Sequence, residues 1–547
     1  MKEETKSETN ISIVSYVKTR PVECIVLLIC SFISAYLVAM LNFEDNLLVG
    51  NADQSNMANL ARNIAEGNGA VVDNVWLMTD GGLPGKAVTH AEPYWSVYVA
   101  AIISPFFKAF GASRFTLILP ALLINIAIAG LVAWTISKSA PSNRLPVVLG
   151  FVLSIFSIPM LSNITGFSDI YLTFFILLTG IALVYAISMN KRLLFFVAGV
   201  LAGIAVAIKP SGLLLLGLWP VYFIFISERI TILRNFMIFL FGMAIGLTPY
   251  ITYNQTNFDT YVSPGLSLAS KASSIRDSII KAEKDANVQR VGENKWGHAH
   301  RVGFYDPAAV PVLSTSNDTS VLKLDKRVNR LKTFIQKSFL WGMLIPIWLM
   351  PFVFLGIVEV LLRLKSKESI ASRPCDLFLV FCVLMFISGF VLGSHVSFEV
   401  RYWNYMVPLS IVLAVVGTTR LPKLVTISLL IFSLYSGGSY LINHEGLKKS
   451  TPAYATAKDI LPEGAKVFTS SPWQFAFHTY IPSVILPYSE HPKTIKDTAI
   501  RYGVEYIAIV ENDTKHPYYK PLEQGQAFDY LDLIYRDEHL ILYKFIQ

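Results

Sequence analysis

Apolar residues in this chain are gathered into separate uncharged stretches of about 16–21 residues, each close to the roughly 20 that a helix needs to cross about 30 Å of hydrocarbon. Inside hydrocarbon no water satisfies the backbone, so each stretch must close its own hydrogen bonds as a helix or pair in a closed barrel. A barrel would read as ten-residue segments of alternating polarity, and that pattern is missing. The clear runs are 24–41, 115–137, 145–162, 170–188, 193–208, 211–227, 235–253, 338–358, 377–394, 402–419 and 424–441. With 53% hydrophobic and only 15% charged residues among 547, the chain falls in the class of polytopic α-helical membrane proteins. Its net charge of +8 does not point to nucleic acid, because no basic cluster is interleaved with stacking aromatics. Cys24, Cys30, Cys375 and Cys382 all lie in or beside apolar runs, so no disulfide framework is implied. The first twenty residues are polar and the run behind them lacks a small-residue cleavage site, which predicts a retained span.

The segment YWSVYVAAIISPFFKAF (94–110) decides the topology, since it carries Lys108 and Pro105 and opens with aromatics. Taken as an interfacial helix, it leaves the connectors 138–144, 189–192, 228–234, 359–376 and 420–423 on the cytoplasmic side, where they hold twelve lysines and arginines. Such an excess is what the positive-inside rule asks of cytoplasmic loops. Taken as a crossing, the same segment would put all of them outside. The reading is therefore about eleven spans with external juxtamembrane helices, the N-terminus cytoplasmic and the C-terminus external. A transmembrane module then occupies 1–441, with external loops at 42–114 and 254–337, and 442–547 forms an external domain. In the second loop, VLKLDKRVNRLKTFIQK (321–337) is amphipathic, fit to rest at the headgroups or to pack on another external element. The tail alternates helix-like stretches (453–461, 493–501) with β-rich runs (466–470, 483–487, 506–510, 540–545), which predicts a small, mainly parallel α/β domain.

In the short external connectors 163–169, 209–210 and 395–401 the basic residues are Lys209 and Arg401, each at the end of a span, and Asp169 holds the third such place. A boundary aspartate often caps a helix and a boundary lysine or arginine often snorkels to headgroups. Ionisable groups at span margins also line wet cavities and mark function. Asp53 belongs to the same face. In NADQSNMANL the spacing of Asp53, Met57, Leu60, Ala61 and Ile64 predicts a helix over 53–66 packed on the bundle, with the acid in its first turn, where the dipole favours it. Downstream lie Lys86, and then His90 and Glu92 just before the interfacial helix. Two carboxylates and two cations on one membrane face describe a site for an anionic ligand.

These segments resemble the GT-C glycosyltransferases, in particular the lipid-sugar-dependent branch with the protein O-mannosyltransferases and aminoarabinose transferases. ADQSNMANLARNIAEGNG looks like that branch's acidic motif, with Asp53 at the acid position. HAEPYWSVYVAAIISPFFKAFGASR resembles its following segment, while SDIYLTFFILL, AIKPSGLLLL and RYWNYMVPL resemble later landmarks carrying Asp169, Lys209 and Arg401–Tyr402. Asp53-Gln54 stands where the family often has Asp-Glu, Met57 where an aromatic is usual, and Glu92-Pro93-Tyr94 where Pro-Pro-Leu is often found.

The resemblance implies a sugar donor linked to polyprenyl phosphate and an acceptor that is lipid A, another glycan or a protein. It implies single displacement with inversion in a bacterial inner membrane, with the tail periplasmic. Such a reaction needs a base for the incoming hydroxyl and cations for the departing phosphate. Asp53 would be the base, with Asp169 beside it as a catalytic candidate that positions a substrate or orients Lys209. Lys209, Arg401 and Lys86 would hold the phosphate, and His90, Glu92 and Tyr402 would bind substrate. Loop lysines and histidines such as Lys86 and His90 are also commonly just solvated. Trp76, Trp95 and Trp296 fit sugar stacking and interfacial anchoring equally. No clustered metal ligands or Walker-type loop occur, so neither metal nor other cofactor is expected. A transporter or flippase of an anionic lipid-linked substrate, or a non-catalytic assembly factor with this fold, are the competing classes.

Overall fold

The computed structural model describes residues 21–42, 52–75, 87–92, 95–139, 144–164, 168–217, 229–262, 345–365, 373–393, 403–443, 452–486, 492–510 and 528–546, with isolated positions 332, 335, 336 and 522. Its first helices are α1 (Pro21–Asn42), α2 (Ala52–Glu66), α3 (Val97–Phe110), α4 (Arg114–Ser139), α5 (Leu145–Ile155), α6 (Ile158–Ile164), α7 (Ser168–Met189), α8 (Arg192–Ile208) and α9 (Arg229–Phe258). After these come α10 (Met350–Leu364), α11 (Pro374–Gly393), α12 (Met406–Thr418), α13 (Lys423–Asn443), α14 (Pro452–Ile460), α15 (Pro472–Thr479) and α16 (Pro492–Tyr502).

Among the described residues six helical stretches are long and apolar enough to cross a membrane: 114–139, 145–162, 168–189, 231–258, 347–364 and 423–442. Shorter apolar helices occupy 24–36, 97–110, 192–208, 374–389 and 406–418. The chain is thus a polytopic α-helical membrane protein. Of the run 211–227 only the part up to Gly217 lies among the described residues, and of 321–337 only Lys332, Ile335 and Gln336 do. Helix α12 is buried at every position and forms the centre of the bundle. Leu28, Phe32, Leu233, Phe241, Ile431 and Tyr435 are exposed on peripheral helices, as a hydrocarbon-facing surface requires.

Close backbone approach explains the tightest pairing, α8 on α9. Gly199 and Gly203 on one helix face Gly242 and Gly246 on the other, and a Cβ at Gly203 would lie 2.4 Å from the carbonyl oxygen of Met243. Small residues four apart let two helices meet backbone to backbone in hydrocarbon, where packing rather than water exclusion drives association. Gly203→Ala forces the helices apart, because the obstacle is backbone and cannot swing away. The expected cost is about 1–3 kcal/mol, read as a lower melting temperature in detergent. Gly130→Ala, which meets nothing within 4 Å inside α4, should not lower that temperature.

A mixed sheet caps one end of the bundle. It is built from β2 (Asn74–Val75), β4 (Val467–Thr469), β5 (Ser483–Ile485), β6 (Tyr506–Val510), β7 (Leu531–Arg536) and β8 (Leu540–Phe545) in the order β2-β5-β4-β6-β8-β7. The first four strands run parallel, and β8 and β7 add antiparallel pairs. Its edge strand β2 comes from the first loop rather than the C-terminal tail, registering Asn74 with Ser483 and Val75 with Val484. Two further short strands of that loop, β1 (Val71–Val72) and β3 (His90–Ala91), pair with each other.

Candidate active site

Three helix ends meet where α3 enters the bundle. Ser96, preceding α3, donates its hydroxyl to the carbonyl of Ala207 at 3.1 Å, which pins the start of α3 to the last turn of α8. Two residues later α8 ends at Lys209, whose backbone is extended (φ −152°) and whose N–H still closes on the carbonyl of Ala205. Pro210 cannot continue the helix. Gly212 completes the turn because a Cβ there would lie 2.6 Å from the backbone nitrogen of Val206. Lys209 is thereby turned towards the first turn of α7, where its ammonium pairs with Asp169 Oδ1. Asp169 is buried at 1% exposure, while the Lys209 side chain retains 18%. Both ends suit their dipoles, an acid at a helix N-terminus and a cation at a C-terminus. The second carboxylate oxygen of Asp169 has no hydrogen-bond partner among the described residues. A buried ion pair with an unsatisfied oxygen is a poor source of stability, so its presence at a bundle end favours a functional role.

Asp53 lies in the first turn of α2 and is half-buried. Every residue of that helix from Gln54 to Asn63 is buried, polar ones included. The apolar stripe of Met57, Leu60 and Ala61 joins the bundle core, with α2 packed on α3 as the spacing predicts. The opposite side is covered by α15 and by β2. There Asn56 accepts from the amide of Asn74 at 2.8 Å, and Asn59 donates to the carbonyl of Trp473 at 2.9 Å. Arg62 donates to the carbonyls of Ala476 and Phe477 at 3.0 and 2.9 Å and pairs with Asp73 at 3.1 Å. Asp73 also accepts from Asn63 and from Thr89, both at 2.8 Å. This network is the part of the site that the sequence reading missed. Its signal was the row Asn56, Asn59, Arg62 and Asn63 at helical spacing.

His478 of α15 stacks flat on Tyr454, and its Nε2 is buried with no hydrogen-bond partner among the described residues. Burial, with the nearby Arg62 charge, pushes it down to about 4. The unfolded chain, at the ordinary 6.5, takes up this proton more readily than the folded chain does at about 4. The stabilisation from the neutral ring is therefore complete above about pH 6.5 and is lost as pH falls from there towards 4, on the order of 3 kcal/mol in all. Melting curves at pH 7 and pH 5 should separate clearly for wild type and draw together for His478→Phe.

Two of the remaining loop candidates lie in or beside β3. His90 sits in β3 with Nδ1 2.9 Å from the carbonyl of Val88, and burial holds its pKa below the ordinary histidine value. Glu92 is buried and accepts the backbone N–H of Trp95 at 3.0 Å, shaping the entry to α3. Tyr253 at the end of α9 donates to the carbonyls of Ala70 and Glu92, tying this loop to the bundle. Lys86, Arg401, Tyr402, Trp76 and Trp296 lie outside the described residues. Among the described residues no three His, Cys, Asp or Glu side chains gather into a group that could hold a metal ion.

No family model and no curated protein matches the sequence. Solved structures do match over most of its length. The oligosaccharyltransferase of Archaeoglobus fulgidus in its apo form is 13% identical, with a TM-score of 0.57 covering 89% of this chain and 69% of that one. ArnT from Cupriavidus metallidurans, bound to undecaprenyl phosphate, is 12% identical, with a TM-score of 0.56 over 96% of this chain and 98% of that one. The mycobacterial arabinofuranosyltransferase AftD is 11% identical at a TM-score of 0.51, over 95% of this chain and 40% of that one. These likenesses give this chain the fold of the GT-C glycosyltransferases.

Proposed function

We propose that the protein transfers a sugar from a polyprenyl-phosphate donor to an envelope acceptor, a lipid such as lipid A, another glycan or a protein, at the outer face of a bacterial inner membrane. The observation that carries this reading is the buried Asp169–Lys209 pair at the bundle end that also bears the α3 anchor. The likeness to ArnT bound to undecaprenyl phosphate supports the donor class. In this reading the N-terminus is cytoplasmic, and the C-terminal sheet is periplasmic and part of an external domain over 442–547.

In the reaction the acceptor hydroxyl attacks the anomeric carbon and gives its proton to the Asp53 carboxylate. The bond from that carbon to the phosphate oxygen breaks, and the lipid phosphate leaves with the electron pair. One displacement inverts the anomeric centre. Lys209 stabilises the leaving charge as a point cation and Arg401 as a bidentate fork, with Lys86 as a further phosphate contact. Asp169 holds the Lys209 ammonium in place and offers its second oxygen to a substrate hydroxyl. Tyr402 and His90 contact substrate, the latter as a neutral ring. Glu92 contributes by fixing the approach to α3.

Reconstitution in sealed proteoliposomes with labelled polyprenyl-phosphate sugars and membrane-extract acceptor tests the reading. Label appearing in the acceptor supports transfer. Intact donor crossing the bilayer with no bond exchanged would replace the enzyme with a transporter.

A further inference from the structure

We propose that Arg62 is a positioning residue that acts through Asp53, making helix α15 of the C-terminal tail part of the catalytic apparatus; this rests on the proposed reading of Asp53 as the base. Asp53 opens α2, and Arg62 lies nine residues on, about 13 Å along the same rigid helix. One side of α2 is held by apolar contact through Met57, Leu60 and Ala61. Apolar contact alone is non-directional and leaves a helix free to slide or rotate slightly.

The other side is held by directional bonds that fix both motions. Asn56 meets Asn74 of the sheet's edge strand, Asn59 meets the carbonyl of Trp473, and Arg62 takes the carbonyls of Ala476 and Phe477. Those carbonyls belong to the end of α15, which terminates at Tyr480 in the left-handed region (φ 65°). Helix C-termini leave carbonyls unsatisfied and attract cations. The Arg62 guanidinium takes the Phe477 carbonyl, shares that of Ala476 with the N–H of Tyr480, and lies 4.2 Å from the centre of the Tyr480 ring. An arginine at 2% exposure is a costly way to fill space. Its fork of donors serves instead to set the register of α2 on α15, and with it the place of the carboxylate.

Arg62→Met should lower kcat for sugar transfer about 10–100-fold, since misplacement of a catalytic group by about 1 Å can cost 10²-fold. Donor KM should stay within about twofold, because the donor is held by other residues. In an Asp53→Asn background Arg62→Met should cause no further loss, a non-additivity that general destabilisation would not produce. Arg62→Lys, which keeps the charge but not the fork, should recover part of the rate. Asn59→Leu removes one bond of the same set and should cost about 3–10-fold, which keeps the idea testable if Arg62→Met does not fold.

Hydrogen exchange across 52–58, measured on the same variants, needs no activity. Faster exchange there in Arg62→Met or Asn59→Leu supports the link even if no donor is turned over, in which case only the proposed function fails. Unchanged exchange at the Asp53 end, or full independence of the Arg62 and Asp53 effects, overturns the positioning role.

Discussion

Asp53→Asn should reduce sugar transfer by about 10²–10⁴-fold, the span typical of losing a general base, with melting temperature and donor affinity close to wild type. The physical case is that the amide keeps the shape and helix-start preference of the carboxylate but cannot take the hydroxyl proton. Asp53 is half-buried in a helix otherwise buried from Gln54 to Asn63, so its backbone has no room to relax and compensate. Single-turnover transfer, measured with donor saturating, isolates the chemical step. If Asp53→Asn transfers at the wild-type rate, the base lies elsewhere, and Asp169 becomes the acid to test.

Lys209→Met should also cost about 10²–10³-fold in transfer, the magnitude seen when one group stabilising transition-state charge is removed. It should in addition destabilise the protein by about 3–5 kcal/mol, because Asp169 is left as an unpaired buried carboxylate. The two effects separate in the double variant. Asp169→Asn with Lys209→Met removes both charges together, so melting temperature should largely recover while transfer stays low. Recovery of both would mean that the pair is only a structural staple. Failure of the melting temperature to recover would mean that the two residues are not energetically coupled.

Much of this architecture is legible in the sequence because each element carries a local signal. Helix α2 runs from Ala52 to Glu66 against an expectation of 53–66, since an acid opens it and apolar residues recur at helical spacing. The segment expected to lie at the interface is a helix over Val97–Phe110, and YIAIV and LILYKF appear as the strands Tyr506–Val510 and Leu540–Phe545. Asp169 and Lys209 were singled out from their places at span ends and are found paired.

What stayed hidden depends on partners distant in sequence. Asn74–Val75 is only two residues long and becomes a strand because Ser483–Val484 offers it an edge. Asn59 and Arg62 of the row on α2 find their partners in α15, more than 400 residues away in sequence. Helix α15 itself went unread although Pro472 at its first turn is a start signal. Strand β7 was missed because most of its residues are exposed and show no clean alternation. The alternation of helix and strand predicts a mainly parallel sheet, and β2, β5, β4 and β6 do run parallel, while β8 and β7 add antiparallel pairs at one edge.

Following both products at once tests whether a polyprenyl-phosphate-linked sugar is the donor for a group transfer. Purified protein is supplied with a panel of such donors and an envelope acceptor extract, and free polyprenyl phosphate and glycosylated acceptor are quantified together. For one donor the two products should appear one for one, and both should vanish with Asp53→Asn. Release of no polyprenyl phosphate from any donor, with acceptor unmodified, would rule out that donor class.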